Sequence, residues 1–230
     1  MHILITGANR GLGLEFVKQY LEAGEQVTAT CRQLDQARDL QSLKEAYPNK
    51  LQILPLDVGD GESVRNLSKA LKGKVVDILV NNAGAYAGKG EGFGNLGYED
   101  WLENLAINTL GPIRVAEALK DNVLASEHKK FVFITSKMGS IGDNQGGGAY
   151  QYRSSKAALN AAAKSMARDL REDGAIILMM HPGWVVTDMG GPDAMIKPPE
   201  SISGMRKVID VAALDDSGGF YTYAGETVPW

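Results

Sequence analysis

The sequence predicts an α/β chain in which a single doubly wound parallel sheet carries helices on both faces. Three observations lead there. Short, continuous apolar runs, of the kind buried parallel strands show, alternate with helical patterns along the chain. Glycines cluster within 7–13, 84–97 and 139–148, as loops next to such runs require. No repeat, linker or composition break divides the 230 residues, so 1–230 reads as one domain.

The first unit is strand, glycine turn, helix, strand. Ile3-Leu4-Ile5 is followed by Gly7-Ala8-Asn9-Arg10-Gly11-Leu12-Gly13, a helical run from Leu14 to Leu21, and a second strand from Gln26 to Cys31. Such a turn offers backbone N–H groups and a helix N-terminus to a pyrophosphate. Its spacing, G-x-x-x-G-x-G, departs from the general G-x-G-x-x-G fingerprint, and a purely structural turn is the competing reading.

The end of the second strand discriminates between nicotinamide cofactors. An acid there would bond a ribose 2′-hydroxyl, whereas positive charge would hold a 2′-phosphate. Residues 29–34 contain no acid; they contain Arg32, and Arg10 lies in the glycine turn. An Arg fork can grip phosphate in bidentate fashion, so NADP(H) is favoured over NAD(H). The bland alternative is a solvated strand-end Arg32.

A helix over 35–47 ends at Pro48, and Leu51 to Leu56 forms a third strand with Asp57 directly after it. A carboxylate there stands on the ligand-bearing edge of a parallel sheet, although spacing alone leaves a turn residue equally open. A helix over 62–72 precedes a fourth strand, 75–80, running into Asn81-Asn82-Ala83-Gly84, small residues that admit a ligand close to the backbone. Residues 98–119 are helical except at Gly111-Pro112, with Asn108 just before the break; a kink there would free backbone groups to bond water. The fifth strand, 131–134, leads to Ser136. The sixth and last, 175–180, leads to His181-Pro182-Gly183-Trp184-Val185-Val186-Thr187-Asp188.

Between these strands lies Tyr152-Arg153-Ser154-Ser155-Lys156, opening an Ala-rich helix to about residue 171. Residues four apart share a helix face, so the phenol and the ammonium project together. A neighbouring positive charge lowers the pKa of a phenol from about 10, which would suit it to proton exchange near neutrality. A chance Tyr-x-x-x-Lys match remains the competing reading.

Composition removes several classes. Net charge is −4 without a basic block, which gives no sign of nucleic acid or an anionic membrane surface. A lone Cys31 and scattered His2, His128 and His181 allow neither an internal disulfide nor a metal cluster. No apolar run reaches the ~18 residues of a membrane span. With a strand reading from His2 onward leaving no room for a signal peptide, the expected location is cytoplasmic.

Taken together, Thr6-Gly7-x-x-x-Gly11-x-Gly13, Asp57, Asn81-Asn82-Ala83-Gly84, Asn108, Ser136, Tyr152-x-x-x-Lys156 and Pro182-Gly183-x-Val185-x-Thr187 resemble the short-chain dehydrogenase/reductase family across essentially the whole chain. Within it, residues 9–13, Thr30-Cys31-Arg32 and the closing 225–230 look like the sniffer-type carbonyl reductases and C-factor-like proteins. The resemblance implies a Rossmann fold and NADPH-dependent reduction of an aldehyde or ketone. Tyr152 would be the general acid, Lys156 would lower its pKa and bond the nicotinamide ribose, and Ser136 would hold the carbonyl oxygen. Asn108 would keep a water relaying protons to Lys156. For the cofactor, the resemblance implies the turn residues Gly7, Asn9, Arg10, Gly11, Leu12 and Gly13 with Arg32. Asp57 and Val58 would meet adenine, and Asn82, Ala83 and Gly84 the adenosine ribose. Pro182, Gly183, Val185 and Thr187 would meet the nicotinamide amide.

The chain also departs from the pattern. Ser136 precedes Tyr152 by 16 residues, more than is usual, with Gly146-Gly147-Gly148 as the extra loop and Ser140 as a rival hydroxyl. The segment after Thr187 is short, which implies an open pocket and loose substrate choice. Met138, Tyr150, Trp184 and Met189 are candidates for lining it, with ordinary packing as the alternative. His181 reads as a strand-end residue, and Lys129-Lys130 as a solvated charge pair. The alanine-rich face at 157–167 allows close packing within the sheet layer or across a homodimer. Two competing functions are an NAD(P)-binding regulatory protein with little turnover and a biosynthetic enzyme for one dedicated substrate.

Overall fold

The computed structural model describes residues 1–230. Its elements in chain order are β1 (His2–Ile5), α1 (Gly11–Glu22), β2 (Gln26–Cys31), α2 (Arg38–Ala46), β3 (Leu51–Pro55), α3 (Gly61–Ala70), β4 (Ile78–Asn81), α4 (Tyr98–Leu105), α5 (Gly111–Ala118), α6 (Lys120–Leu124), β5 (Lys130–Ile134), α7 (Tyr150–Asp169), β6 (Ile176–His181), α8 (Pro198–Val211) and β7 (Gly219–Thr222). The strands form one sheet in the order β3-β2-β1-β4-β5-β6-β7, with every neighbouring pair parallel. The expected doubly wound sheet is therefore present.

Strand alternation divides the core into two. Ile3, Ile5, Ile78, Val80, Val132, Ile134, Leu178 and Met180 point to one face and pack with Phe16, Leu40, Ile202 and Met205 from α1, α2 and α8. Leu4, Leu79, Phe131, Phe133, Ile177 and Met179 point to the other and meet Val64, Val115, Leu159 and Ala163 from α3, α5 and α7. Both faces being covered is why the strands read as continuous apolar runs. Strand order reverses between β1 and β4, and the crevice beyond their C-terminal ends is where open α/β sheets take ligands.

Three expectations need correction. A seventh strand, β7, follows α8 and extends the sheet beside β6. It spans only four residues, and Phe220 alone is fully buried, so its apolar signal is weak. The interruption after Tyr98 is not a break at Gly111-Pro112: a π turn over Ala106–Leu110 precedes it, with the Gly111 N–H bonded to the Ala106 carbonyl five residues back. Nor is Lys130 solvated. It is 6% exposed, and its Nζ donates to the carbonyls of Ile209 and Asp210 at the end of α8. A helix end needs such donors, and a cation there also complements the helix dipole. Sequence shows the charge but not the distant helix end that receives it.

No helix is long and apolar enough to cross a membrane. For Lys130→Ala, which strands those carbonyls, urea denaturation is expected to show a loss of about 1–3 kcal/mol; unchanged stability would mean that solvent replaces the ammonium.

Candidate active site

The glycine turn is held in place by a clasp between β1 and β4. Thr6 Oγ1 accepts the N–H groups of Asn82 and Ala83, each at 3.0 Å. In return, Asn82 Nδ2 donates to the carbonyls of Thr6 at 2.9 Å and Gly7 at 3.1 Å. Gly7 has φ +64°, and a Cβ there would lie 2.8 Å from Ala83 Cα. At Gly13 a Cβ would meet the Gly7 carbonyl oxygen at 2.3 Å. These glycines let α1 start directly over the strand ends.

Above the clasp lies a cavity of about 470 Å³. Of the residues expected to meet a cofactor, Gly7, Asn9, Arg10, Gly11, Leu12, Arg32, Asp57, Val58, Asn82, Ala83, Gly84, Tyr152, Lys156, Pro182 and Thr187 line it. A second cavity, about 560 Å³, shares Leu12, Thr135, Tyr152, Pro182, Thr187 and Met189 with the first and adds Ser136, Gly183 and Val185. Tyr152 thus stands on the wall common to both. Met138, Trp184 and Met189 line this second cavity; Tyr150 faces a separate one, which Ser140 also lines. Ser136 therefore shares a cavity with the phenol and Ser140 does not.

Gly13 and Asn108 line neither cavity. Gly13 supports the turn from behind. Asn108 is fully buried: its Oδ1 accepts the Ala85 N–H at 2.8 Å, and its Nδ2 donates to the Ala85 carbonyl at 2.8 Å and to Ser155 Oγ at 3.0 Å. The amide is thus committed within the protein. Pro112, in the first turn of α5, has no N–H to give to the π turn before it. Asn108 nevertheless adjoins the ammonium: a Cβ on Gly84 would lie 3.2 Å from Asn108 Oδ1 and 3.7 Å from Lys156 Nζ.

In the protein chain itself the net direction at the Tyr152 phenol is upward. Burial pushes the Tyr152 phenol up to about 12, with the Ser136 hydroxyl acting in the opposite direction and Tyr86 adding to the rise. Burial also pushes Lys156 down to about 8. Its Nζ donates to the Ile134 carbonyl at 2.9 Å and stands 5.8 Å from the centre of the Tyr152 ring. Helical spacing put the two side chains on one face, but it carried no information about how dry that face would be.

Some lining residues gave no signal in the sequence. Tyr86 stacks on Tyr152 with ring centres 4.4 Å apart and planes at 16°. It sits in the glycine-rich loop after β4, where no pattern distinguishes an aromatic ring. His181 ends β6 as expected, yet its imidazole lines the second cavity and its buried Nδ1 has no hydrogen-bond partner. The loop beyond Thr187 closes on itself. Val186 donates to the Ile196 carbonyl, Met195 and Ile196 donate to that of Trp184, and Trp184 Nε1 donates to that of Gly190 at 2.8 Å.

The first cavity also fits a phosphorylated dinucleotide. Arg10 pairs with Asp188, both largely exposed, whereas Arg32 has no carboxylate within 4.0 Å. An exposed pair is worth little and yields readily to a phosphate. Gly11, whose added Cβ would stand 3.5 Å from Thr187 Cγ2, keeps the cleft open between the turn and the loop after β6.

A glycine turn at the β1/β4 switch point, joined to a Tyr–Lys–Ser wall, defines an oxidoreductase of the dinucleotide-binding α/β class. The pattern of the family described as short chain dehydrogenase matches residues 1–195, and the chain belongs to that family. The C-signal protein of Myxococcus xanthus is 46% identical over 155 residues, covering 67% of this chain and 93% of its own. Among solved structures, the carbonyl reductase Sniffer of D. melanogaster superposes with a TM-score of 0.94 at 34% identity, over 100% of this chain and 99% of that one. The NADPH-bound carbonyl reductase from chicken fatty liver gives 0.92 at 35%, over 100% and 98%.

Burial also holds the His181 imidazole down at about 4, helped by the charge of Lys137. An unfolded histidine titrates near 6.5, so the unfolded chain binds the extra proton first as pH falls. Stability should therefore drop between about pH 6.5 and pH 4, by up to about 3 kcal/mol from this group. Denaturation midpoints across that range should flatten in His181→Gln, and an unaltered slope would assign the loss to other groups.

Proposed function

We propose that this chain is an NADPH-dependent carbonyl reductase acting on aldehydes or ketones, with residues 1–230 as one catalytic domain. One observation carries the reading: the Tyr152 phenol and Ser136 face one cavity while Tyr152 and Lys156 line the adjoining dinucleotide cleft. The carbonyl reductase likenesses, one of them NADPH-bound, support it.

The cofactor would lie along the first cavity. The glycine turn, Gly7 to Gly13, would receive the pyrophosphate, and Arg32 with Arg10 the 2′-phosphate. Asp57 and Val58 would border the adenine, Asn82 to Gly84 the adjoining ribose, and Pro182, Gly183, Val185 and Thr187 the nicotinamide amide. When bound, NADPH supplies the hydride that reaches the carbonyl carbon. The chain supplies everything on the oxygen side. Ser136 holds the carbonyl oxygen and stabilises the negative charge growing on it. Tyr152 gives its proton to that oxygen as the alkoxide forms, and a phenol held near 12 is fully protonated at neutral pH, as a general acid must be. The Lys156 ammonium stabilises the phenolate left behind. Asn108, its amide already committed, would hold a relay water through its main-chain carbonyl and return the proton by way of Lys156.

The likeness to C-signal favours one further reading, an NAD(P)-binding signalling protein with little turnover. NADPH consumption over a panel of carbonyl compounds separates the two, since binding without oxidation would select the second.

Tyr152→Phe should lower kcat by about 10²-fold or more while NADPH affinity stays within a few-fold, because the phenolic proton acts at the transition state. A variant that keeps most of its rate would refute the acid's identity. Arg32→Asp should weaken NADPH binding by about tenfold or more in fluorescence titration and leave NADH binding less affected. Equal affinities before and after would move the phosphate site elsewhere.

A further inference from the structure

The second cavity carries charge that the reduction step does not use. Its walls hold Lys89, Lys137 and Arg153 against one acid, Asp143. Lys137 is paired with Asp143 at 3.4 Å. Neither Lys89 nor Arg153 has a carboxylate within 4.0 Å. In a chain of net charge −4, this is a local reversal of sign.

Both cations are held at the wall by groups that leave their charge unneutralised. Lys89 Nζ bonds only the Met189 carbonyl, at 3.4 Å, and stands 5.9 Å from the centre of the Tyr86 ring. Tyr86 in turn stacks on Tyr152. Arg153 follows Tyr152 on α7 and donates to the carbonyls of Gly147 and Met138 at 3.2 and 3.4 Å. Its charge reaches the Tyr86 hydroxyl, opposing the burial that raises that group. Neither cation lines the dinucleotide cavity, where Arg10 and Arg32 already provide for phosphate. The same cavity that holds this charge and Ser136 is also lined by the apolar side chains of Met138, Trp184 and Met189.

We propose that Lys89 and Arg153 form an anion subsite and that the substrates are oxo-carboxylic acids: aldehydes or ketones whose carboxylate is separated from the carbonyl by an apolar stretch. This deepens the carbonyl reductase reading and rests on it. The carboxylate takes no part in the chemistry. Hydride still adds to the carbonyl carbon and the Tyr152 proton to its oxygen, while the two cations orient the far end of the molecule. An open cavity accommodates variety in the apolar part, and the charge selects what is attached to it.

The test compares 4-formylbenzoate with its methyl ester as substrates of the NADPH-loaded protein. The acid should be preferred in kcat/KM by about tenfold or more, as charge-assisted hydrogen bonds allow. High salt should shrink that ratio. Lys89→Glu, on an exposed loop, and Arg153→Gln should each bring it down by about tenfold. If the ester is reduced as well as the acid, the anion subsite is refuted and the reductase reading stands. If neither is reduced, the wider carbonyl panel decides the reductase reading and calorimetry on the NADP⁺-loaded protein decides the subsite. Tighter binding of the acid than the ester, lost in Lys89→Glu, supports it, and equal binding overturns it.

Discussion

The clasp of Thr6 and Asn82 is the constraint on which the site depends. Four hydrogen bonds tie the end of β1 to the end of β4, and they do so at the point where the sheet changes winding direction. Without them the turn after β1 would have no reason to pass so close to the Ala83 backbone that only glycine fits at residue 7. The same contacts set the height at which α1 begins, and with it the depth of the dinucleotide cleft. Positioning of the reactive wall, some way along the sheet at β5 and α7, is then a matter of strand register.

Burial dominates the chemistry of that wall. Tyr152 and Lys156 sit where charge is expensive, so each is pushed toward its neutral form, in opposite directions on the pH scale. The outcome is a phenol that holds its proton at neutral pH beside an amine held below the ordinary lysine range. Residues Ile134 and Asn108 take part indirectly: one carbonyl receives the ammonium, and one amide closes the floor beneath Gly84.

Much of this was legible in the chain. The sheet, its winding and the glycine turn followed from continuous apolar runs and from glycines placed after them, because local backbone needs leave local marks. The Tyr152–Lys156 pair followed from helical spacing. Less visible were features whose partner is far away in sequence. Lys130 reads as a surface charge until the end of α8 is brought to it, and β7 is too short to announce itself. Tyr86 and Lys89 lie on a loop, where periodicity carries nothing. The choice between Ser136 and Ser140 also needed the fold, since both follow β5 and only the turn between them decides which one faces the phenol.

The loop after Thr187 is stapled to Trp184 and Ile196, and Gly190 and Gly191 bond back to Thr187. These bonds hold the two ends of the segment together and set its shape locally. Met189 on this loop is half in solvent and borders both cavities, and exposed side chains of that kind reorient on the picosecond-to-nanosecond scale. Rotation of that one thioether alters the border of both cavities without disturbing the bonds that shape the loop.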